Sequence, residues 1–263
     1  DLATSCGELL VVEDGWALLR TPGELGDPCV DSTKWFLRRA PMEPLRPTAP
    51  LPEPYASWQR GEPLALDPHP VVQTIVDDLT PATIQANWEA IVNVATTRYS
   101  RSAGCVTATD SVFAAFQTLG LNPVRQNHTS GHAPNVIGTI TGYAHPEQVI
   151  IVIGHIDDVP SSGAAPGADD NASGAATVVS AAQALAGYTF EKTVKLIAVT
   201  GEEQGLYGSA HYADEAWATG EQIIAVLNAD MTGWAGDGLP ASGENLDVNT
   251  NAASAWLGTL LAE

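Results

Sequence analysis

Basic residues are scarce: 11 Lys and Arg stand against 31 Asp and Glu in 263 residues, a formal charge of −20. That balance excludes a nucleic-acid binder, whose phosphate contacts need Lys and Arg, and speaks against an anionic membrane surface. No apolar run approaches the ~20 residues of a membrane-spanning helix. Cysteine is reduced to Cys6, Cys29 and Cys105, with no CxxC spacing, which argues against a thiolate zinc knuckle. A Cys6–Cys29 disulfide of an extracellular protein is expected, with Cys105 either a buried thiol or paired outside this chain. Arginine is missing after Arg125 and histidine after His211. The chain opens on Asp1 rather than Met, so a removed leader or propeptide is expected, or a numbering that starts inside a longer chain. With the acidic composition, this predicts a secreted, extracellular or periplasmic setting.

What is present is enough apolar material for one substantial core. Hydrophobic residues make up 44% and charged residues 16%, the profile of a globular chain. Nine of the 18 prolines fall between Pro41 and Pro70, where neither a helix nor a central strand can run. Residues 41–70 therefore read as a Pro-rich linker. Before it, "GELLVVEDGWALLRT" predicts two short strands about Glu13-Asp14-Gly15, and "STKWFLRRA" a third, so residues 1–40 form a small β-rich N-terminal segment. After it, residues 71–263 alternate between helices and strands. Thr80 and Pro81 open a helix over 80–99, and "TATDSVFAAFQTLG" (107–120) is a second that ends on glycine. "NVIGTITG" and "QVIIVIGH" read as strands joined by a turn at His145-Pro146. Helix "NASGAATVVSAAQALAG", strand "KTVKLIAVTGEE", helix "LYGSAHYADEAWA" and strand "QIIAVLNADM" follow. The alternation predicts an α/β fold: a mixed, largely parallel central sheet with helices on both faces.

Three of these apolar strands end in groups that bind cations. His155 follows "VIIVIG", Glu202 and Glu203 follow "KLIAVTG", and Asp230 follows "IIAVLNA". In an open α/β sheet the crevice beyond the C-terminal strand ends is where ligands bind, so the three ends can converge. Asp169 and Asp170 precede a helix that starts near Asn171, which points them at the same edge. So many carboxylates beside one imidazole repel one another unless a positive charge lies between them. A donor set of one His and several carboxylates without Cys suits zinc, manganese or cobalt. The histidines at 69, 128, 132, 145 and 211 read as surface or packing residues.

"GHIDD", "PGADDNASGAA", "TGEEQGLYGS" and "NADMTGW", in this order and spacing, resemble the co-catalytic dizinc aminopeptidases of the bacterial leucyl-aminopeptidase type. That superfamily also holds glutamate carboxypeptidases, glutaminyl cyclases and the catalytically silent transferrin receptor. The likeness is specific over residues of about 130–235, extends plausibly from about 71, and does not cover 1–70. It implies a zinc exopeptidase-like domain binding two Zn2+, with His155 and Asp230 on one ion, Glu203 on the other and Asp170 bridging. It further implies Glu202 as general base, Asp157 as the carboxylate that orients His155, and an unusual cis peptide bond after Asp170. Asp158 and Asp169 receive no metal role and are expected to hydrogen-bond or face solvent. The implied reaction is hydrolysis of N-terminal peptide bonds by a metal-bridging hydroxide, with peptide or protein N-termini as substrate.

The family pattern includes a fifth ligand, a histidine well downstream of the "NADM" strand, and this chain has none. Its second metal site thus needs a ligand absent from the chain, and the domain is expected to lack its C-terminal part. Trp234 and Tyr207 can line a cleft or pack in the core. Two other readings stay open. One is a carboxypeptidase or glutaminyl cyclase of the same superfamily, though a carboxypeptidase wants arginines to hold the substrate carboxylate. The other is a silent receptor-like or structural module.

Overall fold

A computed structural model describes residues 8–13, 16–20, 70–159, 163–233, 248–251 and 254–262. The chain divides into two units, Asp1–Ala56 and Ser57–Glu263. In the first, β1 (Glu8–Glu13) and β2 (Trp16–Arg20) pair antiparallel, as the alternation about Glu13-Asp14-Gly15 predicts. The expected third strand at 32–40, Cys6, Cys29 and Trp234 lie outside the described residues. So does the expected linker, except for Pro70, which opens helix α1 (Pro70–Asp77).

In the second unit, α2 (Pro81–Val92) starts as its sequence dictates: the Thr80 hydroxyl accepts the Thr83 N–H at 3.1 Å, and proline fills the first helical turn. Helix α3 (Ala103–Thr118) starts earlier than the apolar spacing suggests, because Ser102 caps it by accepting the Cys105 N–H at 3.1 Å. Five strands follow: β3 (Val124–Gln126), β4 (Asn135–Ile140), β5 (His145–His155), β6 (Lys192–Val199) and β7 (Gln222–Asn228). Helices α4 (Ala172–Leu185) and α5 (Tyr207–Thr219) lie between β5 and β6 and between β6 and β7, and α6 (Ala255–Ala262) comes last.

The strand order is β3-β4-β6-β5-β7. Strands β5, β6 and β7 run parallel, whereas β4 pairs antiparallel with both β3 and β6. The sheet is therefore mixed, with a parallel half. Strands β4 and β5 follow one another in the chain but are not neighbours in the sheet, because β6 inserts between them. The turn lies at residues 141–144 rather than at His145-Pro146, which already belongs to β5. A Cβ on Gly142 would stand 2.5 Å from the Lys192 carbonyl carbon, so only glycine lets the connection pass that close to β6.

Both faces of the sheet are covered. On one, Val136, Val194, Leu196 and Ala198 pack with Val112 and Phe116 of α3 and with Ala175, Val178 and Ala182 of α4. On the other, Val149, Ile151, Ile153, Ile197 and Val199 meet Tyr212 and Ala216 of α5. The alternation Val194, Leu196, Ala198 against Ile197, Val199 is the two-residue period of a strand buried on both sides. The fully buried Phe116 alone is worth about 1.5–3 kcal/mol in transfer free energy. It fits because β4 carries Gly138 opposite, where a Cβ would lie 2.8 Å from its ring.

The parallel register sets His155 beside Val199 and Ile153 beside Asn228. The exits of β5, β6 and β7 thus open on one edge. Helix α4 is drawn in against that edge by Gly174, whose Cβ would sit 2.1 Å from the Ala229 carbonyl oxygen.

Candidate metal centre

His155 is the last residue of β5 and is 3% exposed. Its Nδ1 lies 3.1 Å from the backbone oxygen of Asp157, an acceptor that fixes the proton on Nδ1 and leaves the Nε2 lone pair free. Nε2 stands 3.3 Å from Asp170 Oδ1 and 3.5 Å from Asp230 Oδ1. Ligand atoms of His155, Asp170 and Asp230 all fall within 4.8 Å of one another, and they form the sole such group of three among the described residues. Asp170 comes from the loop before α4, across a cis peptide bond to Asn171, and Asp230 follows β7. Asn171 joins these two segments: its side chain donates to the Ala229 oxygen at 3.0 Å and accepts from Met231 N–H at 3.2 Å and Gly174 N–H at 2.8 Å. Asp169 does the same from the other side, accepting from Gly233 N–H at 2.9 Å and from the Ser173 hydroxyl at 3.1 Å.

Asp157 is fully buried, with a carboxylate oxygen 3.8 Å from His155 Nδ1. Its two oxygens accept the backbone N–H groups of Glu202 and Glu203, each at 3.3 Å. It therefore ties the exit of β6 to the exit of β5, a link invisible in the order of the motifs. Burial pushes its carboxyl up to about 6, against the pull of His155 and of those two N–H groups.

Glu202 and Glu203 sit on a tight turn closed by Gly205 N–H to the Glu202 oxygen at 2.9 Å. Burial raises the Glu202 carboxyl, with His155 opposing and Asp230 and Asp170 adding to the rise. Burial, and then the Asp170 charge, push Glu203 up to about 7. Glu203 Oε1 is buried without a hydrogen-bond partner, and the residue does not join the His155 group at the same close spacing. A half-buried carboxylate with an unmatched oxygen beside other carboxylates is unfavourable unless a cation completes it. The donor set of one imidazole and hard carboxylate oxygens suits a divalent ion of the zinc type.

Behind this turn lies a support built from histidines that the sequence assigned to the surface or to packing. His128 Nε2 is 2.8 Å from the Thr200 hydroxyl, and His132 Nδ1 is 2.7 Å from the Ser100 hydroxyl, which also bonds Gln204. Burial lowers both imidazoles from their usual range. Tyr207 packs edge-on against His132 at 5.2 Å and is 42% exposed. His145 and His211 stand near surface carboxylates, Glu147 and Glu215, and His69 lies outside the described residues. Cys105 is a free, fully buried thiol, pushed up chiefly by burial.

Parts of the chain are similar to known proteins. Residues 135–259 match Peptidase family M28. A probable zinc metalloprotease of Leptosphaeria maculans is 38% identical over 104 residues, 38% of this chain and 24% of that protein. A probable leucine aminopeptidase of Arthroderma otae is 35% identical over 127 residues, 44% of this chain and 34% of the relative. The matched stretch thus spans about a third or less of the curated relatives' length. Among solved structures, the Legionella pneumophila LapA aminopeptidase superposes with a TM-score of 0.57 at 18% identity, over 70% of this chain and 52% of its own. LapB from the same organism gives 0.56 at 22% identity, over 65% and 48%. At those identities the likeness is one of fold.

Proposed function

We propose that the protein is a zinc-dependent aminopeptidase that hydrolyses the N-terminal peptide bond of peptides or proteins, a reading supported by the match of residues 135–259 to Peptidase family M28. The observation that carries the reading is the convergence of His155, Asp170 and Asp230 within 4.8 Å, beside an orphaned buried oxygen of Glu203. His155 and Asp230 would hold one ion, Glu203 a second, and Asp170 both, since a carboxylate has two oxygens to share. When bound, zinc supplies Lewis acidity toward a peptide carbonyl and lowers the pKa of water.

The protein's own residues supply the remainder. Glu202 is next to a ligand in sequence and half-buried, with a carboxyl raised chiefly by burial, which suits it to accept a proton from the attacking water at neutral pH. It then delivers that proton to the leaving amine. Asp157 holds Glu202 and Glu203 by their backbone N–H groups while its own carbonyl fixes the His155 ring. The net charge of −20 favours the approach of a substrate with a cationic α-amino group.

Substrate polarity follows from where the guanidinium groups are. Among the described residues of the second unit, Arg98 is fully buried, Arg125 pairs with Asp110 at 2.8 Å and Arg101 is exposed, and no arginine follows Arg125 in the sequence. With no arginine in the sequence after Arg125, a C-terminal carboxylate has few guanidinium partners, which favours amino- over carboxypeptidase action. The acidic composition further supports an extracellular or periplasmic place of work. The test is zinc content together with cleavage of an aminoacyl-4-nitroanilide before and after chelation. Bound zinc with chelator-sensitive cleavage is expected. A folded protein that takes up no zinc and cleaves nothing would reject the proposal in favour of a silent module.

A further inference from the structure

Among the described residues the largest fully buried side chain is Arg98, and no other lysine or arginine is buried. Its guanidinium faces three backbone carbonyls. Nε donates to Ile156 O at 2.8 Å, Nη1 to Pro166 O at 2.5 Å and Nη2 to Gly167 O at 3.0 Å. Its backbone N–H is shared between both Asp158 carboxylate oxygens at 2.8 Å, and the Asp158 carboxylate lies 3.6 Å from Nη1. Thr97 adds a hydroxyl to the same carboxylate at 2.9 Å.

These partners belong to two loops. Ile156 and Asp158 flank Asp157 directly after His155, while Pro166 and Gly167 precede Asp170. One planar fork therefore bonds both segments that present His155 and Asp170 to each other. The packing leaves little slack. Gly167 has φ +46°, and a Cβ there would lie 2.5 Å from the Asp170 oxygen, 2.8 Å from Asp158 Cβ and 2.9 Å from Arg98 Nη2. The Gly167 oxygen also accepts the Ala172 N–H at 2.9 Å, which links the fork to the first turn of α4. Burying a guanidinium is costly unless its charge and all its donors are matched. Here the match is made by the carbonyl of Ile156, one residue from His155, and by those of Pro166 and Gly167, four and three residues from Asp170.

We propose that Arg98 is a positioning residue that sets the separation of His155 and Asp170, and with it the affinity and geometry of the metal centre. This rests on the reading of His155, Asp170 and Asp230 as metal ligands. Lysine keeps the charge but has a point-like ammonium that cannot serve three divergent carbonyls from one plane.

The test compares the full chain with its Arg98→Lys and Phe116→Leu variants; Phe116 lies in the helix-covered core and contributes nothing to the centre. Each is measured for metal-free thermal unfolding, zinc affinity by chelator competition, and the visible absorption of the cobalt(II)-substituted protein. We expect R98K to weaken zinc at least ~tenfold and to shift the cobalt bands, whereas F116L lowers the unfolding temperature but leaves both metal readouts near those of the parent. Parent-like affinity and bands in R98K would overturn the inference, and so would an equal loss in F116L, since the effect would then track stability. If R98K does not fold, Asp158→Asn, which weakens the anchor from the other side, must shift the cobalt bands in its place; unchanged bands overturn the inference too. A parent protein that binds no zinc refutes the metal reading itself, which keeps the two failures apart.

Discussion

Asp157→Asn separates the stability of this site from its chemistry. In the metal-free protein the Asp157 carboxyl is pushed up from 3.8 to about 6, chiefly by burial. Keeping it ionised at pH 7 therefore costs roughly 3 kcal/mol of folding free energy, a cost an amide does not carry. Against this, an amide offers one acceptor where the carboxylate offers two, so either the Glu202 or the Glu203 N–H comes to face an NH2 group. Loss of one charge-assisted bond of 3.3 Å, plus the stranded buried donor, costs about 3 kcal/mol. The two effects nearly cancel, and metal-free unfolding should shift by no more than ~6 °C in either direction. Metal binding has no such compensation. The charge 3.8 Å from His155 Nδ1 raises the basicity of Nε2, and its removal should weaken zinc ~10–100-fold, about 1.4–2.7 kcal/mol. Thermal unfolding in chelator and zinc competition titrations read the two quantities independently. Unchanged zinc affinity, or a metal-free unfolding temperature lower by more than ~10 °C, would refute the reasoning by showing that Asp157 acts as a structural hydrogen-bond acceptor and nothing more.

Two further outcomes are expected. Glu202→Gln should retain its zinc, measured by elemental analysis, while turnover of an aminoacyl-anilide falls by ~10²–10⁴; loss of zinc at unchanged fold would instead make Glu202 a ligand. The metal-free protein should also lose stability as pH rises. Glu203 moves from 4.5 to about 7 and Asp157 from 3.8 to about 6 on folding, so the folded state binds the extra protons between about pH 4 and 7 and stability declines through that window. Its unfolding temperature in chelator should be higher at pH 5 than at pH 8, whereas zinc affinity should tighten over the same range because the ion displaces the Glu203 proton. A metal-free unfolding temperature that climbs from pH 5 to 8 contradicts this.

The amino-acid sequence by itself determined that β5 is a central strand and which side chains stand at the ends of β5, β6 and β7. Four or five consecutive apolar residues shortly before His155, Glu202–Glu203 or Asp230 is a pattern that local period and polarity express directly, and the parallel register then brings those ends to one edge. Caps were legible where a hydroxyl precedes a helix, as at Thr80. Ser102 escaped notice because the apolar spacing of α3 becomes regular only after its first turn. Hidden, too, was the insertion of β6 between β4 and β5, since strand order depends on which faces bury together and not on any local signal.

Tertiary structure alone decided what holds the site in shape. Asp157 reaches the N–H groups of residues 45 and 46 positions away, and Arg98 reaches carbonyls as far as 69 positions away. Such bonds form because a buried polar group must find a partner wherever the folded chain supplies one. Spacing along the sequence carries no record of that choice, so the ligands could be read from their motifs while the residues that aim them could be seen only once the chain had closed around them.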